Sequence, residues 1–241
     1  MLGQHVLDFI DKIQSLEDYD EICIAVAEEL AKYGLSYVTS LNIPAPGQSL
    51  QKNILLNSRP EEFTKRYAEK NYILTDPNVT YLQRTLDPYT WTDVKIICDL
   101  SKNEKNIINE ASEFGANNGM VIPMVKRYGV SSIFCPCGHN PNLSIKARKE
   151  LEIIGVYSHQ ALDKARLKLI RKVETHTPLT AREREVMQWV ATGKSDYEIG
   201  EILTISSRTV TTHVNNSMVK LDAYKRPYAV VKCIQYGEIF I

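Results

Sequence analysis

Cysteine is scarce in this chain of 241 residues: Cys23, Cys98, Cys135, Cys137 and Cys233 are all there is. Five scattered cysteines cannot make a disulfide scaffold, and their scarcity fits a reducing compartment. Long apolar runs are missing too. Stretches such as VMQWVA are far too short to span a bilayer, so no membrane partner is expected. The opening residues, MLGQHVLDFIDKIQSLEDYDE, carry acids and lack a basic segment followed by an apolar core. A signal peptide is therefore not expected, and the reading is a cytoplasmic protein. Net charge is absent as well, 29 basic residues balancing 29 acidic ones, so the chain as a whole gives no hint of nucleic acid.

Signs of catalysis are equally thin. There is no nucleophile motif, no phosphate loop, no repeat and no low-complexity segment, which argues against an enzyme. The nearest approach to a metal motif is Cys135-Pro136-Cys137-Gly138-His139. Zinc needs about four ligands, normally as two spaced pairs, and the remaining cysteines are lone and distant. The plainer reading is small hydrophobes at the end of a strand, with no metal and no cofactor.

What is present is an ordinary globular composition, 44% hydrophobic and 24% charged, long enough for two domains. Residues 5–33 place Val6, Phe9, Ile10, Ile13, Ile22, Val26 and Leu30 at helical spacing, with a break at SLEDYDE. YVTSLNI (37–43) and NILLNS (53–58) read as strands around the turn PAPGQS, and Pro60 opens a helix that carries Phe63 and Tyr67. A helix over EKNIINEASEFGAN follows. Two strands come next, GMVIPMVK and VSSIFCP, joined through Arg127, Tyr128 and Gly129. A long helix pattern then covers 144–173, carried by Leu151, Ile154, Leu162 and Leu167 among others. This order predicts an α+β fold in which residues 1–170 form an α-β-α sandwich with an antiparallel sheet.

Residues 171–178 read as a linker, and 179–241 as a four-helix, all-α domain. TAREREVMQWVATG turns Val186, Met187 and Val190 to one face and ends at Gly193. SDYEIGEIL starts with Ser195 and Glu198 in capping-box spacing and directs Ile199, Ile202 and Leu203 inward. Pro227 starts the last helix, which Gly237 closes. Between them lies SSRTVTTHVNNSMVKL, whose β-branched residues favour a strand. A helix capped by Ser206 accounts for more: it buries Val210, Val214, Ser217, Met218 and Leu221. Its other face carries Arg208, Thr211, Thr212, Asn215, Asn216 and Val219. Two helices joined by a tight turn make a helix-turn-helix module.

Charge is polarised inside this module. Segment 181–201 sets Arg182, Arg184 and Lys194 against five acids, net −2. Segment 203–237 sets Arg208, Lys220, Lys225, Arg226 and Lys232 against Asp222, net +4.

From Leu179 to Leu221 the sequence resembles the LuxR-type helix-turn-helix, through Leu179, Thr180, Glu183, Gly193, Lys194, Ile199, Gly200, Ser206, Thr209, Val210 and His213. The N-terminal part resembles the autoinducer-binding domain of quorum-sensing regulators. It carries Phe63, Tyr67 four residues on, Asp76-Pro77 nine further, Trp91 fifteen past the Asp, and Gly119 before VIP. The resemblance implies a small-molecule autoinducer of the N-acyl-homoserine lactone type, a homodimer and double-stranded promoter DNA; contact with RNA polymerase stays open.

It also implies roles for residues. Asp76 is expected to accept the ligand amide N–H, Tyr67 to donate to an acyl carbonyl, and Trp91 to wall the ring. Phe63 stands where the family usually has a Trp whose N–H takes the lactone carbonyl. Arg59 stands where an aromatic or other ligand-facing residue is often found, and Cys135 where a hydroxyl is. Thr211, Thr212 and Asn215 are expected toward base edges, with Asn216 beside them. Arg208, Lys220, Lys225 and Arg226 suit phosphates. Pro77, Gly119, Glu183, Gly193 and His213 are read as structural. The alternative is a regulator of this type that senses a non-lactone small molecule, or one that acts without a ligand. The residues leave open the acyl group, the operator, and whether ligand promotes or releases DNA binding.

Overall fold

A computed structural model describes residues 3–43, 49–126, 129–171 and 178–240. The turn expected at 44–48, the connection at 127–128 and most of the expected linker, 172–177, lie outside them. The chain divides into two compact units, Met1–Ile170 and Arg171–Ile241.

The first unit begins with α1 (Gln4–Ser15) and α2 (Tyr19–Ala31), followed by β1 (Tyr37–Asn42) and β2 (Ile54–Asn57). Next come α3 (Glu61–Glu69), the single turn α4 (Pro77–Thr80), the two-residue β3 (Tyr89–Thr90), α5 (Trp91–Ile97) and α6 (Lys102–Glu113). The hairpin of β4 (Asn118–Lys126) and β5 (Gly129–Gly138) leads into the long α7 (Ile145–Arg171). Every strand pairing is antiparallel, in the order β2-β1-β5-β4-β3.

Alternation along the strands sends side chains to two cores. Val38, Met120, Ile122 and Phe134 meet α1, α2 and α7 on one face. Leu41, Val121, Ile133, Cys135 and Cys137 meet α3, α5 and α6 on the other. The α-β-α sandwich with an antiparallel sheet is thus the observed architecture. Cys135 and Cys137 are buried, free thiols of the second core, and His139 is exposed just past the strand.

Local signals set the helix starts. Thr90 with Asp93 and Ser101 with Glu104 form reciprocal capping boxes at α5 and α6. Each such cap stabilises by about 1 kcal/mol. The same device recurs in the second unit, where Thr180 with Glu183 caps α8 (Ala181–Ala191) and Ser195 with Glu198 caps α9 (Asp196–Leu203). Ser206 accepts from Thr209 N at the start of α10 (Ser207–Lys220), and Pro227 opens α11 (Arg226–Gln235).

The stretch SSRTVTTHVNNSMVKL is therefore helical. Val210, Val214, Ser217 and Leu221 are buried with Val186, Met187 and Ile199, and this packing overrides β propensity. Gly193 carries φ +83° past the end of α8. A Cβ at Gly200 would lie 2.7 Å from the Ile205 carbonyl oxygen, so only glycine lets the turn between α9 and α10 close this tightly.

Two inward assignments need correcting. Ile202 is 44% exposed and Leu167 45%. Ile199 already fills the α9 seam, and on α7 the neighbouring buried positions are Leu162 and Ala165, which leaves Leu167 on the outer face.

Candidate ligand cavity and nucleic-acid interface

An apolar cavity, open at its mouth, lies between the sheet and α3–α5. A concave apolar lining with a few convergent polar groups is the usual form of a small-molecule site. Arg59, Phe63, Tyr67, Asp76, Trp91 and Cys135 all line it. The elements bring them in from separate directions. Phe63 and Tyr67 are one turn apart on α3, Asp76 caps α4, Trp91 opens α5, and Cys135 points up from β5.

Trp91 is held against the sheet by the absence of a side chain at Gly119. A Cβ there would lie 2.6 Å from the Pro136 oxygen, 2.8 Å from Cys137 Cβ and 3.0 Å from Trp91 Cε2. This close approach gives Gly119 its structural role. Pro77, buried, fixes the first turn of α4 behind Asp76.

The polar centre is Asp76. One carboxylate oxygen accepts Asn78 N–H at 2.9 Å, and the other accepts the Tyr67 hydroxyl at 2.9 Å. Burial raises its carboxyl above the ordinary Asp range, against the pull of the Asn78 N–H, the Tyr67 O–H and Arg59. Burial, with Asp76 close by, holds the Tyr67 hydroxyl protonated far above neutrality. Asp76 is therefore both a helix cap and a wall of the cavity, and Tyr67 is committed to it as a donor.

Asn78 does not stand out in the sequence. It lies two residues past Asp76, lines the cavity, and its buried Oδ1 has no partner within the protein. Its one sequence signal is its place in the first turn of a helix begun by Asp76-Pro77. Phe63, 2% exposed, packs its ring 5.6 Å from Phe114 and 5.9 Å from Tyr67. It belongs to the apolar wall. The Trp91 Nε1 is buried with no normal hydrogen bond.

In the second unit, α10 exposes Arg208, Thr211, Thr212, Asn215 and Asn216 along one face. Asn215 and Asn216 make no side-chain hydrogen bond among the described residues. Thr212 returns its hydroxyl to the Arg208 carbonyl at 3.0 Å. Thr211 donates to Asp196 at 2.6 Å. Asp196 also pairs with Arg226. Burial pushes the Asp196 carboxyl up, but Arg226 and Thr211 outweigh it and hold it below its ordinary range.

Lys220, expected at phosphate, is instead turned inward. Its Nζ lies 2.7 Å from Glu183 Oε2, whose side chain is 5% exposed. Burial raises the Glu183 carboxyl, yet Lys220 and Thr180 overcome it and keep it ionised below the usual Glu range. A buried carboxylate needs a cation, and helix crossing brings Lys220 to it. Lys232 likewise donates to the Leu221 and Asp222 carbonyls at 2.6 and 2.8 Å. Of the five bases that gave this segment its surplus, Arg208 and Lys225 remain outward. His213 is half-buried beside the inner face.

Among the described residues, no helix is long and apolar enough to cross a membrane. Among them, too, no group of three or more His, Cys, Asp or Glu side chains is placed to hold a metal ion.

Comparison with known proteins gives the same division. Residues 18–162 match the autoinducer binding domain, and residues 177–233 match the luxR family of bacterial regulatory proteins. The chain is 32% identical to the HTH-type quorum sensing-dependent transcriptional regulator RpaR of Rhodopseudomonas palustris, over 98% of this chain and 96% of that one. It is 27% identical to the transcriptional activator protein BjaR1 of Bradyrhizobium diazoefficiens, over 98% and 97%. The fold is shared with the crystal structure of Escherichia coli SdiA, with a TM-score of 0.78, 19% identity and 99% of each chain covered.

Proposed function

The chain belongs to the LuxR family of quorum-sensing transcriptional regulators, with an autoinducer-binding domain before its helix-turn-helix, and from that membership we propose that it binds an N-acyl-homoserine lactone-type autoinducer and, as a homodimer, promoter DNA. The observation that carries the ligand half is the convergence of Tyr67, Asp76 and Trp91 on one apolar cavity. An acyl-homoserine lactone is mostly apolar with a few amide and ester groups. Such a molecule needs greasy walls and a small number of placed polar atoms. Asp76 accepts the amide N–H in a charge-assisted bond, Trp91 covers the ring, and Leu41, Ile133 and Val121 contact the acyl group.

On the DNA side, α10 enters the major groove, with Asn215 placed for adenine and the methyls of Thr211 and Thr212 for thymine. Arg208 and Lys225 contact phosphates. With so few outward cations per protomer, a two-fold dimer on a two-fold operator supplies the affinity. Ligand binding stabilises one folded arrangement and so changes DNA affinity, which is linkage between two sites.

Titration of the purified protein with a panel of acyl-homoserine lactones by calorimetry tests the ligand half. Saturable binding that Asp76→Asn weakens supports it; no binding by any member overturns it. The second reading, a regulator sensing a different small molecule, is favoured by Phe63 and Arg59, which stand where the family's Trp donor and a frequent aromatic are expected.

A further inference from the structure

Arg59 is the least explained group in the first unit. It follows β2, and its side chain lies inside the cavity against Phe63 and Trp91, with its guanidinium carbon 5.7 and 5.8 Å from their rings. Its Nε is closed to solvent and has no hydrogen-bond partner within the protein. Its Nη2 donates to Cys135 Sγ at 3.7 Å and the guanidinium also meets the Cys137 thiol, and a thiol is a weak acceptor. No carboxylate among the described residues lies within ion-pair distance of it. The oxygens of Asp76, the anion of this cavity, are engaged by Tyr67 and Asn78.

A guanidinium keeps its proton under all ordinary conditions, and burying one without a strong acceptor is unfavourable. The nearby Asp76 charge offsets part of this cost, but it satisfies none of the guanidinium N–H groups, and Leu or Met would fill the space between two aromatic rings without leaving donors unmet. The Trp91 Nε1, which has only the weakly accepting Cys135 thiol beside it, lies in the same wall, so two kinds of donor face one region of the cavity. A fork of parallel N–H groups matches two oxygens on one carbon.

We propose that Arg59 is the specificity-determining residue of this cavity, and that its ligand carries an O–C=O group, as ester or carboxylate, seated on the guanidinium between Phe63 and Trp91. This rests on the cavity being the ligand site. For an acyl-homoserine the two sources of that group are the closed lactone and the carboxylate left when the ring opens. Arg59 serves both, and its full charge makes the opened form an eligible ligand.

The test uses the full chain in calorimetric and thermal-shift titrations. The probes are octanoyl-homoserine lactone, ring-opened octanoyl-homoserine, and octanoyl cyclopentylamide, which keeps the chain and amide but lacks the oxygen pair. In the wild type, the lactone or the opened form should bind roughly tenfold or more tighter than the cyclopentylamide. Whichever gains more identifies the source of the group. Arg59→Met should close that gap and raise the ligand-free melting midpoint, because a buried unpaired charge is removed.

A cyclopentylamide that binds as well as both other probes overturns the proposal. So does a gap that survives Arg59→Met, or a lowered midpoint that marks Arg59 as structural. If Arg59→Met does not fold, Arg59→Lys, which keeps the charge and loses the fork, must show a reduced gap; an unreduced one overturns the proposal. If none of the acyl amides binds, the acyl-homoserine reading fails. Arg59 is then judged by octanoate against octanol: stabilisation by octanoate alone, abolished in the variant, upholds its role, and equal effects refute it.

Discussion

Replacing Lys220 by Met separates two readings of the same cation. At the end of α10 it has the position of a phosphate contact, yet its Nζ sits 2.7 Å from Glu183. Met keeps the apolar stem and its packing while deleting the charge. Glu183, with a side chain only 5% exposed, then loses its cation but keeps the Thr180 N–H at 2.7 Å. Breaking a buried pair typically destabilises by about 3–5 kcal/mol. Lys220 is 24% exposed and one backbone bond to Glu183 survives, so about 2–3 kcal/mol is expected here.

Urea titration followed by circular dichroism should show an earlier transition for the second unit. The deficit should shrink toward acid pH. Glu183 is held below its ordinary range in the folded state, so its contribution is present above that range and is lost as pH falls through the folded value. The salt dependence of DNA binding should keep its slope, whereas Arg208→Ala or Lys225→Ala should lower it by about 0.9 for each phosphate that is no longer neutralised. An unchanged urea midpoint, together with a slope lowered as in those two variants, refutes the internal role of Lys220.

Asp76→Asn should weaken the ligand response about 10–100-fold, the loss of one charge-assisted bond, while folding persists because Asn still caps α4; an unchanged dose–response would remove Asp76 from the site. Asn215→Ala should reduce operator discrimination more than non-specific DNA binding, and equal losses would show that Asn215 reads no base. Gly119→Ala should destabilise by about 1–3 kcal/mol and weaken ligand binding together, since its methyl meets Pro136, Cys137 and Trp91 at 3.0 Å or less. The second unit should lose stability as pH falls below about 4, because Glu183 and Asp196 are both held below their ordinary ranges; circular dichroism across pH 7 to 2 reads it, and a flat profile contradicts it.

The sequence made legible whatever is local or periodic. Ser195 three residues before Glu198 marks a helix start by itself, and the spacing from Val210 to Leu221 marks the buried side of α10 despite its threonines. The spaced set Phe63, Tyr67, Asp76 and Trp91 named the cavity wall because family resemblance carries tertiary information that period does not. Hidden were the elements too short to show a period, β3, α4 and α5, and with α4 the cavity residue Asn78.

Partners far apart in sequence were hidden too. Glu183 and Lys220 are 37 residues apart, and Asp196 and Arg226 are 30 apart. A net charge of +4 therefore overstated the basic surface, because pairing is decided by helix crossing. Arg59 was visible as a departure from the family pattern, but its want of a strong acceptor is a property of the folded cavity.

The proposed function requires coupling between the cavity and α10. Its most direct test is the affinity of the full-length protein for a selected operator, measured with and without saturating ligand, paired with the ligand affinity measured with and without that operator. Linkage requires both affinities to change by one common factor. An operator affinity indifferent to saturating ligand, with ligand binding itself demonstrated, contradicts the account.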